Sequence, residues 1–243
     1  MKVLDEIVKS KIDEISLMKS LKRNFRSSLL THSRKPVFIC EVKPASPSEG
    51  KMQNFNKDKL LSAYSKEACA VSVLTDNRYF GGSYSLLQEV KEKTGLPVLQ
   101  KDFVLDQYQM IKGVAAGADA VLLIVRILSK SQLSTLIKFG KELAIDCVVE
   151  INDEEDLKLA LDCGAEIILI NNRNLDTLAI DLDTTARLAP LIPDGVLKIG
   201  ASGYNSPEQI KEAEKNCHAF LIGSSFVKAD DPLANIQALK GES

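Results

Sequence analysis

The sequence predicts an α/β protein, a (β/α)8 TIM barrel with an N-terminal helical extension, and three observations carry that prediction. Short runs rich in Val, Ile and Leu, apolar on both faces, recur eight times, as parallel strands covered by helices do. Longer amphipathic stretches with helix start and stop signals separate them. A weak internal repeat runs through the chain: EACAVSVLT (67–75), AGADAVLLI (116–124), CGAEIILI (163–170) and NCHAFLIG (216–223) each pass from a small-residue helix end into an apolar strand. Val71 and Val121 stand 50 residues apart, two βα units of roughly 25 residues each. Eight such units fit one closed barrel domain over 1–243, with 1–35 as the extension. A doubly wound sheet is the alternative that periodicity leaves open.

Taken in order, the strands are expected at 37–42, 70–74, 97–99, 120–125, 147–150, 166–170, 196–199 and 219–222. Helix signals fall between them. Asp153-Glu154-Glu155 sets acids at an N-terminus, Leu157, Ala160 and Leu161 follow at helical spacing, and Gly164 stops the run. Ser206-Pro207-Glu208 offers an N-cap, a first-turn proline and an acid, and Asp231-Pro232 repeats the logic. Ahead of strand one, Leu4, Ile7, Ile12, Ile15 and Leu17 mark a helical segment expected to pack across the barrel.

Composition narrows the function. With 31 basic and 33 acidic residues the net charge is -2, so no global field points to nucleic acid or a membrane surface. Lys19, Lys22, Arg23 and Arg26 read as a solvated helix face. The five cysteines are scattered, without a C-x-x-C, and read as free thiols in a reducing compartment. The charged N-terminus lacks the apolar core of a signal peptide. The longest apolar runs are too short for a bilayer, so a cytoplasmic protein is expected.

A barrel of this kind works at the C-terminal ends of its strands. There the sequence sets Glu41, Lys43 and Ser46 after strand one, Phe80 after two, Lys101, Asp102 and Phe103 after three, and Glu150 after five. Asn171 and Arg173 follow strand six, Ser202-Gly203 strand seven, and Gly223-Ser224-Ser225 strand eight. A lone Lys or Glu at a strand end is usually re-entering solvent. Closure aims Glu41, Lys43, Lys101, Glu150, Asn171 and Arg173 at one mouth, where opposed Lys and Glu can exchange protons. The glycine-bearing loops after strands seven and eight are the usual phosphate site of this fold, so a phosphorylated small molecule is expected.

Other chemistries find no support. The chain has no P-loop, no G-x-G-x-x-G after strand one and no H-E-x-x-H. His32 and His218, the only histidines, read as structural. The D-E-E-D at 153–156 reads as a helix start rather than a metal site, and no Ser–His–Asp set is evident.

CEVKPASPSEG (40–50), SVLTDNRYFGGS (72–83), VLQKDFVLDQYQ (98–109), VVEINDEEDLKLAL (148–161), INNRNLDTLAIDL (170–182) and AFLIGSSFVKADDP (219–232) resemble, in order, the indole-3-glycerol-phosphate synthase family of tryptophan biosynthesis. The resemblance runs from about residue 3 to 239. It implies closure of 1-(2-carboxyphenylamino)-1-deoxyribulose 5-phosphate to the indole, with loss of carbon dioxide and water and without a metal or organic cofactor. A monomer or weak homodimer is expected.

By the same resemblance Lys101 is the general acid at the substrate carbonyl and Glu150 the proton-transfer group at dehydration. Lys43 pairs with the anthranilate carboxylate, Glu41 orients the lysines, and Asn171 and Arg173 hold polar groups. Phe80 and Phe103 pack on the aromatic ring. Ser46, Ser202, Gly203, Gly223 and Ser224 surround the phosphate.

Three positions depart from the family pattern: Gln107, where proline is usual, Pro44 beside Lys43 and, of most consequence, Ala201. Where S-E-S-G-I is normal after strand seven, this chain has Gly200-Ala201-Ser202-Gly203-Tyr204. The missing acid at 201 raises an alternative, a weakly active relative that binds rather than turns over. A more distant one is another phosphate-binding barrel, such as phosphoribosylanthranilate isomerase.

Overall fold

The computed structural model describes residues 3–20, 24–33, 35–46, 50–51, 56–175, 177–227 and 229–242. Eight strands close into a parallel barrel: β1 (Phe38–Val42), β2 (Ala70–Leu74), β3 (Val98–Lys101), β4 (Ala120–Ile124), β5 (Asp146–Ile151), β6 (Ile167–Asn171), β7 (Leu197–Ala201) and β8 (Ala219–Ile222). β8 returns to pair with β1, Cys40 opposite Ile222, so the closed barrel replaces the doubly wound alternative.

The strands are buried on both faces, and alternation sorts their side chains into two cores. Ile39, Leu99, Leu122, Val148, Leu169, Ile199 and Leu221 fill the barrel interior. Cys40, Val71, Val121, Val149, Ile168 and Phe220 face the surrounding helices. This period of two decides the chemistry, because each inward row ends in a residue at the mouth.

Two strands extend past their apolar runs. β3 reaches Lys101, which pairs with Leu74, and β7 reaches Ala201, which pairs with both Asn171 and Leu221. Ladder hydrogen bonds, rather than hydrophobicity, set these ends, so the apolar runs at 97–99 and 196–199 stop short of them.

The helices begin as their signals suggest. α3 (Lys57–Glu67) and α4 (Tyr84–Thr94) cover β1 to β3, followed by α5 (Gln107–Ala115), α6 (Lys130–Glu142), α7 (Glu154–Asp162), α8 (Asp183–Leu188) and α9 (Pro207–Ala213). The one-turn α10 (Ser224–Val227) precedes α11 (Pro232–Lys240). Asp153 accepts the Asp156 N–H at the start of α7, which makes the acid run a cap. Ser206 and Gln209 form a reciprocal capping box on α9.

α11 closes the ring of helices against α3 through an ion pair out of contact with water. Lys240 Nζ, fully buried, donates to the Glu67 carboxylate and to the Glu67 carbonyl oxygen, both at 2.9 Å.

The N-terminal helices behave differently from one another. In α2 (Phe25–Thr31), Phe25 and Leu29 are fully buried and join the barrel interior beside Val37, Cys69 and Ala70. They fill the lower end, as the expected packing across the barrel requires. Arg26 corrects the reading of a solvated basic face: its N–H donates to Asp146 Oδ2 at 2.8 Å, and its guanidinium donates to the carbonyls of Glu166 and Gly195. In α1 (Val3–Ser20), by contrast, Leu4, Ile7 and Ile12 are exposed and do not pack on the barrel. The side chains of Ile15, Leu17 and Lys19, and all of Lys22 and Arg23, lie outside the described residues.

All five cysteines are free. Burial pushes the Cys69, Cys147 and Cys217 thiols up to about 12, which leaves them unreactive. Among the described residues no helix is long and apolar enough to cross a membrane.

Candidate active site

The mouth is built by parity. Ile39, Glu41 and Lys43 point inward in turn at the end of β1, and Lys101, Glu150, Asn171 and Ala201 end their own inward rows. They meet over a cavity of about 480 Å³ whose lining includes Glu41, Lys43, Phe80, Lys101, Phe103, Glu150, Asn171, Arg173, Ser202, Gly203 and Gly223.

Glu41 is the electrostatic centre. Its Oε1 lies 3.2 Å from Lys43 Nζ and its Oε2 3.2 Å from Lys101 Nζ. The Tyr64 hydroxyl donates to the Glu41 carbonyl oxygen at 2.9 Å, tying the strand end to α3. Burial alone would raise the Glu41 carboxyl, but Lys101 and then Lys43 outweigh it and bring the pKa from 4.5 down to about 2. Burial lowers Lys101, yet Glu41 and Glu150 prevail and hold it above its ordinary value, so it is an ammonium ion at neutral pH.

Glu150 is tuned the other way. Burial raises its carboxyl, and the charge of Lys101 and the Asn171 hydrogen bond only partly offset that. Asn171 Nδ2 donates to Glu150 Oε1 at 3.0 Å. Asn171 Oδ1 accepts from the Arg173 N–H at 3.0 Å and from Ser202 Oγ at 2.9 Å. Three strand ends are thus joined through one amide. The mouth holds a low carboxylate and a raised one, a division that separates a fixed counter-charge from a group able to carry protons.

Phe80 and Phe103 lie with ring centroids 6.1 Å apart. Asp76 Oδ1 accepts the N–H groups of Tyr79 and Phe80 and so shapes the loop after β2. Asp102 accepts the Phe103 N–H at 2.8 Å and the Thr75 hydroxyl, which pins the loop after β3.

The end expected to take the phosphate is more varied. Ser202 has φ +68° and Gly203 φ +90°, so the backbone after β7 turns through the left-handed region. A side chain on Gly203 would also collide with Ile180. Ser202 lines the cavity, and its hydroxyl is engaged with Asn171 as well. Arg173 lines the cavity and also donates to the Leu178 carbonyl at 3.0 Å, so it braces its own loop. Ser46 ends a two-residue strand and Ser224 begins α10; their side chains lie outside the described residues.

Sequence reasoning set Ser225 at the end of strand eight without giving it a role, and passed over Asn152. Ser225 lines the cavity with a buried hydroxyl that has no hydrogen-bond partner among the described residues. Its place in a G-S-S run was the available signal. Asn152 donates to two backbone carbonyls of β6 and the loop after it; it stands two residues after Glu150 and therefore shares its parity. His218 Nδ1 accepts the Lys198 N–H away from the mouth, in keeping with a structural role.

Comparison with known proteins shows the family. A sequence profile described as indole-3-glycerol phosphate synthase matches residues 3–239. The chain belongs to that family. It is 39% identical to the indole-3-glycerol phosphate synthase of Methanocaldococcus jannaschii, over 95% of this chain and 96% of that protein. It is 44% identical to the one from Aquifex aeolicus, over 84% of this chain and 80% of that protein. A solved 3-hexulose-6-phosphate synthase superposes with a TM-score of 0.67 at 17% identity, over 85% of this chain and 99% of that one, a likeness of fold alone. Ala201 stands where the motif resemblance leads to the expectation of a glutamate. The ladder turns that buried residue inward between Asn171 and Leu221, where a glutamate would enter the mouth.

Proposed function

We propose that this chain catalyses the decarboxylating and dehydrating ring closure of 1-(2-carboxyphenylamino)-1-deoxyribulose 5-phosphate to indole-3-glycerol phosphate, a carboxy-lyase reaction of tryptophan biosynthesis. The observation that carries the reading is the pair of lysines held 3.2 Å from the two oxygens of Glu41, in a cavity they share with Glu150.

The chemistry uses each part. The ring carbon bearing the carboxylate attacks the ketone carbon, and the new C–C bond pushes the carbonyl electron pair onto oxygen. Lys101 supplies the proton there. Lys43 holds the substrate carboxylate until it leaves as carbon dioxide, its bonding pair restoring the aromatic ring. The adjacent methylene then loses a proton as the indole double bond forms, and Glu150 carries that proton to the hydroxyl, which leaves as water. Phe80 and Phe103 cover the ring, and the backbone at Ser202, Gly203, Gly223 and Ser224 receives the phosphate at the N-terminus of α10. A positioned general acid contributes about 10²–10⁴-fold, and a preorganised charge contact about 10²–10³-fold.

The test is indole fluorescence on adding this substrate to purified protein. Turnover is expected, with Lys101→Ala lowering kcat about 10²-fold or more. Absence of turnover in a folded sample that binds the substrate overturns the proposal.

A further inference from the structure

Asn152 follows β5 and does not line the cavity, yet both hydrogens of its side-chain amide are committed to the site. Nδ2 donates to the Asn171 carbonyl at 2.8 Å and to the Arg173 carbonyl at 2.9 Å. Its own N–H donates to Asp156 Oδ2 at 2.9 Å, in the first turn of α7. Arg126 pairs with Asp156 and with Asp153, which anchors that turn. The opposite side of the Asn152 amide, Oδ1, is buried without a hydrogen-bond partner among the described residues. An unsatisfied oxygen is costly, so the two carbonyl bonds account for an asparagine here.

The carbonyls it holds flank the hub of the mouth. Asn171 has one amide with two unlike ends, and its Oδ1 is engaged by the Arg173 N–H and Ser202 Oγ. That leaves Nδ2 to donate to Glu150. A rotated amide would set an oxygen lone pair against the carboxylate instead. We propose that Asn152 is a positioning residue, which clamps the Asn171–Arg173 backbone so that Asn171 keeps its donor on Glu150. The inference rests on the proposed role of Glu150 and deepens it.

The groups facing Glu150 set the consequence. Lys101 on β3 and the Asn171 bond hold its carboxyl down, while burial, Glu41 on β1 and Asp156 on α7 push it up. Losing the Asn171 donor removes one of the two lowering influences, so the carboxyl rises further and the acid limb of the rate profile moves to higher pH.

The experiment pairs kinetics with a direct titration of the Glu150 carboxyl by carbon-13 NMR, in wild type and Asn152→Ala. The variant is expected to lose about 10-fold in kcat with KM within about twofold. The acid limb and the Glu150 midpoint should move up together. Asn152→Ser, which keeps one donor, should fall between the two proteins. Asn152→Asp, which sets a carboxylate before two carbonyls, should be worse than Ala. An unmoved Glu150 midpoint in Asn152→Ala overturns the inference whatever kcat does. Failure of wild-type turnover would sink the proposed reaction instead, and the titration would still judge Asn152.

Discussion

A Cβ built on Gly223 would stand 2.6 Å from Glu41 Oε1 and 2.9 Å from Glu41 Cβ. The glycine that follows β8 thus leaves the room in which Glu41 reaches two lysines. Two strands that close the barrel also set the spacing of its central charges.

Gly223→Ala is accordingly expected to displace Glu41 and loosen both lysine contacts. The outcome should be a loss of about 10²-fold in kcat. Steady-state kinetics with a thermal melt checks it, and full activity would mean that the carboxylate shifts without consequence.

Ala201→Glu tests the departure from the family pattern. The mouth sets Lys43 and Lys101 against Glu41 and Glu150, and the proposed substrate brings a carboxylate and a phosphate. A third buried carboxylate would raise Glu150 further by like-charge repulsion and repel the anionic substrate. The expected result is a higher KM and an acid limb shifted to higher pH, without a gain in kcat. A gain of about 10²-fold would instead mark Ala201 as a lesion and favour a weakly active relative.

Glu41 also links the site to stability. Its folded pKa is depressed from 4.5 to about 2, so its contribution is fully present above about pH 4.5 and is lost as the pH falls toward 2. Glu41→Gln should therefore unfold at a lower urea concentration than wild type at pH 6, and the gap should narrow at pH 3. A gap that is constant with pH would detach the charge of Glu41 from the fold.

The buried Lys240–Glu67 pair makes a separate prediction. Removing Lys240 takes its counter-charge from the buried Glu67 carboxylate, at a cost of about 3–5 kcal/mol. Lys240→Met should lose stability of that order in denaturant titration while kcat stays within about twofold of wild type. Equal loss of kcat would show that the α3–α11 seam reaches the mouth.

The sequence made the barrel legible because both strand faces are apolar and the small-residue approach to alternate strands repeats. Lys101, Glu150 and Asn171 could be picked out because each interrupts an apolar run at its end. Asn152 could not, since an Asn before an acid run reads first as a turn, and its value lies in carbonyls of β6 and the following loop that the sequence leaves far away. The exposed face of α1 has a similar origin: periodicity reveals an apolar stripe but names no partner for it. Arg26 was misread for the complementary reason, because the acceptors that claim it come from three distant points in the chain.

The plug formed by Phe25 and Leu29 makes the barrel a cup rather than a tube. Under the proposed reaction, substrate, carbon dioxide, water and product all share one doorway. Carbon dioxide would be released beside Lys43 and water beside Glu150, and both would leave past the indole. The order of departure is then a matter of traffic at the rim, where Phe80 and Phe103 stand.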